Sequence, residues 1–338
     1  MLPFTLDLHR ALPRPTEPNP CWSPYSVAAA LSLLLDAATG TAHEELRQVL
    51  GDPRDLLAQA AEVGSGPTLA VSSTVWADTG VPIRDEYRAA VGAQHVRAVA
   101  LRSQPEQARG VINADVAETT RGLIPEAVPP GMIGPDTLVV LVNALYLRAA
   151  WRTAFTAVGE LPFRAPAAEV PVPMMRVRAR LGYLERDGWR VVVVPAAGGV
   201  EVVVAVPDGE IGDLAGVPWE VGDSRVVELV LPRFRAAARV RLEQALRGVG
   251  IREVFGAGLA GLTSAGASVS AVLHQAVLSV DEQGLEGAAV TVIATRGRRV
   301  PVEPEVSVLV DRPFAVLVRH ADTRVPYFVA TVTDPAAG

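Results

Sequence analysis

Apolar residues along this chain keep two different periods, and the change between them divides it. Between residues 24 and 50, Val27, Ala28, Leu31, Leu34 and Leu35 recur at spacings of three and four, which predicts a helix with one buried face. Gly40 ends that helix. Thr41 with Glu44 forms a capping box that predicts a second helix through Leu50, and Asp52–Val63 predicts a short third one. From Thr68 the period shortens. Leu69–Trp76 is rich in β-branched residues and reads as a strand, with helices following near Ile83–Val91 and Pro105–Thr120. Leu138–Arg148 is apolar on both alternating sets, as a strand buried on both faces must be. Beyond Val170 the pattern is mainly β. Trp189–Val194, Val200–Val206, Arg225–Leu231, Val306–Leu309, Phe314–Val318 and Tyr327–Val332 predict strands, interrupted by one helix at Val240–Gly248. Helices first, strands later and no regular βαβ alternation predict an α+β fold. No repeat or low-complexity linker interrupts the sequence, so residues 1–338 read as a single domain.

Composition narrows the chemistry. Thirty-one basic residues against 37 acidic ones give a net charge of −6, which argues against nucleic acid or an anionic membrane as the partner. Every basic residue is Arg. Without Lys, Schiff-base and P-loop chemistry are excluded, and the bias reads as a GC-rich, bacterial source. The single cysteine, Cys21, rules out an intramolecular disulfide and an all-cysteine metal site. The longest apolar runs fall far short of the 18 residues a spanning helix needs. Met1–Arg10 has neither the basic front nor the apolar stretch of an export signal. A cytoplasmic location is therefore expected for the chain as it stands, and an extracellular one if a leader precedes Met1.

No catalytic set assembles from the remaining candidates. Gly256–Gly261 matches G-x-G-x-x-G, but it lacks the preceding strand and following helix of a dinucleotide site and reads as a plain surface loop. The five histidines are scattered, His43-Glu44-Glu45 lacks a second zinc ligand, and no G-x-S-x-G elbow is present. Cys21, flanked by apolar residues, reads as a small buried side chain rather than a nucleophile. Trp76, Trp151 and Trp189 read as core. An enzyme and a cofactor are therefore not expected.

One segment resists an ordinary reading. Asp281–Arg299 begins acidic, runs small and apolar, and ends in Arg296-Gly297-Arg298-Arg299. From Leu285 every second residue, Leu285, Gly287, Ala289, Thr291, Ile293 and Thr295, is uncharged and could line a buried sheet face. The bland interpretation is a strand with an exposed basic hairpin. The sharper one is a strand-competent loop that carries protease bait.

On this segment the chain resembles the serpins. Their hinge reads roughly Glu-x-Gly-Thr-Glu-Ala-Ala-Ala; here it is Glu282-Gln283-Gly284-Leu285-Glu286-Gly287-Ala288-Ala289. Other serpin-like pieces follow in the family's order over nearly the whole chain. They include Asn19–Val27, Gly40–Leu46, Thr120–Ile124, Leu141–Leu147 with Trp151 and Phe155, Leu231-Pro232-Arg233-Phe234, His274-Gln275-Ala276 and Asp311–Phe314. The resemblance implies three β-sheets with about eight helices and an exposed reactive-centre loop at about 282–305. It implies a shutter of Ser23, Ser26, Asn143 and His274 beneath the main sheet, and a breach at Trp151 where the loop enters. It also implies a monomer that acts as a suicide-type inhibitor of serine proteases. Loop cleavage would trap the protease as a covalent acyl complex and carry it along as the loop enters the main sheet.

Serpin-like spacing counts seventeen residues from Glu282 to the bait residue, inclusive, which lands on Arg298. Arg299 is the second choice and Arg296 a further alternative. An Arg bait implies trypsin-like targets, and Arg296-Gly297-Arg298-Arg299 also suits subtilisin- or kexin-like proteases. Leu285 replaces a small residue and Gly287 an Ala. Both substitutions favour the alternative of a non-inhibitory serpin, a substrate-like binding module or chaperone. Asp115 stands where the sixth helix usually carries Trp, Ala330 replaces a Gly, and residues 209–223 are too few for the family's usual pair of small helices.

Overall fold

The computed structural model describes residues 1–13, 17–256, 258–264, 268–285 and 304–337. The first part of the chain holds α1 (Leu2–Ala11), β1 (Cys21–Trp22), α2 (Pro24–Leu35), α3 (Thr41–Leu50), α4 (Arg54–Ala61), β2 (Thr68–Asp78), α5 (Asp85–Val91), β3 (Val96–Val99) and α6 (Pro105–Thr119). Strands dominate thereafter: β4 (Val139–Ala150), β5 (Thr156–Arg164), β6 (Glu169–Arg186), β7 (Trp189–Pro195), β8 (Val200–Pro207), β9 (Ser224–Pro232) and β10 (Phe234–Arg241). The chain closes with α7 (Glu243–Gly248), β11 (Ala271–Val280), β12 (Gly284–Leu285), β13 (Val306–Leu309), β14 (Phe314–His320) and β15 (Pro326–Val332).

These strands form an α+β fold with three sheets, two of which share β6. The first half of β6 pairs with β5 on one edge and β9 on the other, and β13 extends that sheet beyond β9. At Gly182 the strand passes into the second sheet, where Gly182–Arg186 pair with β7 and the order continues through β8, β14, β15 and β1. The third, main sheet has the order β10-β11-β12-β4-β2-β3. Seven α-helices are present among the described residues, close to the expected number.

The main sheet is buried on both faces, which explains its unbroken apolar runs. Leu141, Leu145, Leu147 and Ala149 of β4 join the principal core with α2, as do Val272, Ala276, Leu278 and Val280 of β11. Val140, Val142 and Ala144, with Leu273 and Val277, face a second core under α6 and residues 120–133. Alternate residues of one strand thus serve two cores, as a period of two requires.

Three local expectations need correction. The capping box at Thr41 and Glu44 does not form: Gly40, at φ 55°, is the N-cap of α3 and no side chain caps the helix. The helix expected at Val240 begins at Glu243, because Val240 and Arg241 are held in the ladder opposite His274 and Leu273. The Gly256–Gly261 stretch is not a plain surface loop. Leu259 is buried, and a side chain on Gly261 would lie 2.8 Å from the carbonyl oxygen of Ala37, so this glycine permits contact with the chain between α2 and α3. Trp76, Trp151 and Trp189 are buried. Among the described residues no helix is long and apolar enough to cross a membrane.

Candidate functional site

The seam between β11 and β4 is the unusual feature of the main sheet. Its two strands run parallel and pair directly from Ala271↔Val140 to Gln275↔Ala144. Above that they part. At the far end β12 lies between them, with Leu285 opposite both Val280 of β11 and Ala149 of β4. The sheet is therefore closed at one end and already holds two residues of a further strand at the other.

Ser23, Ser26, Asn143 and His274 converge under the closed end, each at most 1% exposed. Ser23 follows β1 and caps α2, its hydroxyl accepting from the Ser26 amide at 3.1 Å. The Ser23 amide donates to His274 Nε2 at 2.9 Å. Nε2 must therefore be unprotonated, which leaves the proton on Nδ1 to be donated to Asn143 Oδ1 at 2.5 Å. Ser26 Oγ donates to the same oxygen at 3.1 Å, and Asn143 Nδ2 reaches the Leu273 carbonyl at 3.4 Å. Burial without a countercharge pushes the His274 pKa down to about 3, so the imidazole is neutral. His274 and Asn143 are also register partners across the seam, so this hydrogen-bond pair ties β11 to β4.

The open end is built on a turn. Asp281 Oδ1 accepts from the amides of Gln283 and Gly284 at 2.8 and 3.1 Å. Trp151 Nε1 donates to the Asp281 carbonyl at 2.7 Å, and the Trp151 amide to that of Gln283 at 3.2 Å. Glu282 takes both Nε and Nη2 of Arg233, at 2.7 and 2.6 Å. Gly284 has φ 153°, and a Cβ there would lie 2.1 Å from the Ala149 carbonyl oxygen, so only glycine fits. Leu285 is fully buried in the principal core.

The structure therefore brings Ser23, Ser26, Asn143 and His274 together and places Trp151, Glu282, Gly284 and Leu285 around the open end. Glu286, Gly287, Ala288, Ala289, Arg296, Arg298 and Arg299 lie outside the described residues. Sequence reasoning passed over Asp281 and the role of Arg233. Asp-x-x-Gly is a turn signal that could have identified the first. The second pairs with a residue 49 positions away, for which the sequence carries no local sign.

The family model described as serpin (serine protease inhibitor) matches residues 2–335. This chain is a serpin. It is 28% identical to the leukocyte elastase inhibitor of Bos taurus, over 98% of this chain and 97% of that protein. It is 30% identical to iripin-2 of Ixodes ricinus, over 97% of this chain and 91% of that one. Its fold is similar to that of serpin48 of Tenebrio molitor, with a TM-score of 0.84, 24% identity and coverage of 98% and 96%.

Several departures of this serpin can now be placed. Between β8 and β9 the only helical turn among the described residues is the short one at Leu214–Gly216. Ala330 pairs with Cys21, joining β15 to β1. Cys21 is buried, and burial raises its thiol pKa, which leaves it inert at neutral pH. Asp115, in place of Trp, turns α6 toward polar contacts with the sheet. It bonds Arg97 Nη1 of β3 at 2.6 Å and accepts from Ser72 Oγ of β2 at 3.4 Å, while the Arg97 guanidinium covers the Trp76 ring at 5.4 Å.

Proposed function

We propose that this serpin inhibits serine proteases with trypsin-like or subtilisin/kexin-like specificity by loop cleavage, acyl-enzyme trapping and insertion of the cleaved loop into the main sheet. The supporting observation is the seam: Gly284 and Leu285 are paired between β11 and β4 at one end, while at the other the two strands pair directly from Ala271↔Val140 to Gln275↔Ala144. A strand continuing from Leu285 would bond its backbone on both edges and send one alternating set of side chains into the principal core. In this reading the protease serine attacks the Arg298 carbonyl, the Arg299 amine leaves with a proton, and the Arg298 acyl group remains esterified to the protease. Insertion of residues 284–298 then displaces the ester by about 50 Å, at about 3.3 Å per residue, before water can release it.

The alternative of a substrate-like binding module rests on Leu285 and Gly287. The bulk of Leu285 is accommodated between Val280 and Ala149, which supports the inhibitory reading over this alternative. Mixing the protein with trypsin and running a denaturing gel separates the two readings. An adduct that survives detergent is expected. Complete loop cleavage with no adduct would leave the substrate-like reading in its place.

A further inference from the structure

The outward face of the sheet formed by β5, β6, β9 and β13 carries a row of arginines. Arg176, Arg178 and Arg180 alternate along β6 and are exposed, while Val177 and Leu181 point inward. The rows across the sheet follow from the register. Arg176 lies beside Val230 and Leu309, and Arg178 beside Glu228 and Ser307. Arg180 sits beside Val226, with Glu305 Oε1 4.0 Å from its guanidinium. Arg176 and Arg178 have no ion-pair partner among the described residues. Leu309 of β13 is 42% exposed, one of few large apolar side chains so placed. A positive stripe edged with apolar residues thus stands on a protein whose net charge is −6.

Resting on the function proposed above, we infer that this face docks an acidic surface of the protease that cuts the reactive loop. Two observations choose that partner. Val306, the first residue of β13, lies eight positions after Arg298. At no more than about 3.5 Å per residue, a protease engaged at Arg298 is held within about 28 Å of this face. A protease domain has a radius of about 20 Å, so its surface comes within reach of the stripe. The face is also mixed, with Leu309, Val230 and Val226 between the charges and Glu228 among them. That composition suits a protein surface and disfavours a continuous polyanion. The contact would act on encounter, drawing the acidic protease in before the loop is cut.

The test uses trypsin, either unmodified or with its surface lysines succinylated to make it acidic. The rate at which the intact serpin disappears is followed on denaturing gels, at 20 mM and 500 mM NaCl. At low salt the wild type should be consumed about tenfold faster by the acidic trypsin than by the unmodified one. R176E/R178E/R180E should reverse that order, R176Q/R178Q/R180Q should abolish most of it, and high salt should erase the differences. The readout counts every cleaved loop, trapped or not, so it holds even if no adduct forms; the adduct fraction reports on inhibition separately. If the charge-reversed variant keeps the wild-type order, the docking face is wrong. Loss of dextran sulfate binding in that variant with unchanged trypsin rates would also overturn it, and would assign the stripe to a polyanion.

Discussion

At the scale of single residues, buried His274 makes the hydrogen-bond cluster across the seam, the proposed shutter, sensitive to acid. Its pKa is about 3 in the fold and about 6.5 in an unfolded chain, so the unfolded state binds the proton first. Its contribution is complete above about pH 6.5 and is lost as the pH falls from there toward 3, by about 1.4 kcal/mol per unit. Protonation at Nε2 would also turn the acceptor for the Ser23 amide into a second donor. The native protein should therefore polymerise faster on heating at pH 5 than at pH 7.5, measured by light scattering. His274→Ala should polymerise faster at both values and lose most of the pH difference, because Asn143 Oδ1 and the Ser23 amide each lose a partner at about 1–3 kcal/mol. A variant that polymerised as the wild type does would remove His274 from the strand-opening step. The sequence showed this cluster only through the resemblance. Taken alone, His274 reads as one more buried polar residue, since its two partners, Asn143 and Ser23, lie 131 and 251 positions away.

At the scale of elements, the proposed mechanism gives two local devices control over how readily the seam would open. The first is Gly284, whose missing Cβ lets β12 approach the Ala149 carbonyl. Gly284→Ala should expel β12 or strain it by about 1–3 kcal/mol, and shift the products of a trypsin reaction from adduct toward cleaved serpin. An unchanged adduct fraction would mean that the pairing of β12 does not guide insertion. The second is the Asp115 clasp. Helix α6 and residues 120–133 pack on Val140 and Val142 of β4 and on Leu273 and Val277 of β11, so this layer spans the seam. Widening the sheet by one strand, about 4.8 Å, must shift it. Asp115→Ala releases α6 from Arg97 and Ser72, and should lower the temperature at which the native form polymerises by a few degrees. An unaltered midpoint would show that the clasp carries no load. Helices α2 and α6 and strands β4, β7 and β8 were legible because period, length and flanking turns agreed. The start of α7 was not, because Val240 and Arg241 suit helix or strand and the ladder with β11 decides. The state of the seam was illegible for a deeper reason. Leu138–Arg148 and Ala271–Val280 are equally strand-like whether joined or apart, and only spacing in three dimensions separates the two arrangements.

For the molecule as a whole, the proposed mechanism requires that the uncut fold not be the most stable arrangement of its own sequence. Cleavage within 296–299 should raise the melting temperature markedly, since a new central strand gains ladder bonds on both edges and buries apolar area at about 25 cal/mol per Å². An identical melting curve before and after confirmed cleavage would exclude the trap. Mass spectrometry of the fragment released by trypsin places the bond: a new terminus at Arg299 is expected, and one at Val300 would move the bait to Arg299. A protein that formed adducts with chymotrypsin and none with trypsin would overturn the Arg specificity altogether.

The pairing of Leu285 has one more consequence, because a ladder once begun fixes where every later residue comes to rest. Leu285 stands opposite both Val280 and Ala149; counted onward antiparallel to each, the same position, Thr291, arrives opposite His274 and Asn143 at once. It shares the alternating set of Leu285, so its hydroxyl would face the side of the sheet on which that pair lies. The inserting strand would part the two residues and hand them a substitute donor and acceptor in the same movement, like a key whose tooth fills the ward that it displaces. Thr291→Val should then slow loop insertion after cleavage while Thr291→Ser preserves it, as read by the rate at which the cleaved form acquires its higher melting temperature. Equal rates in the two variants would show that the ladder does not propagate in this register.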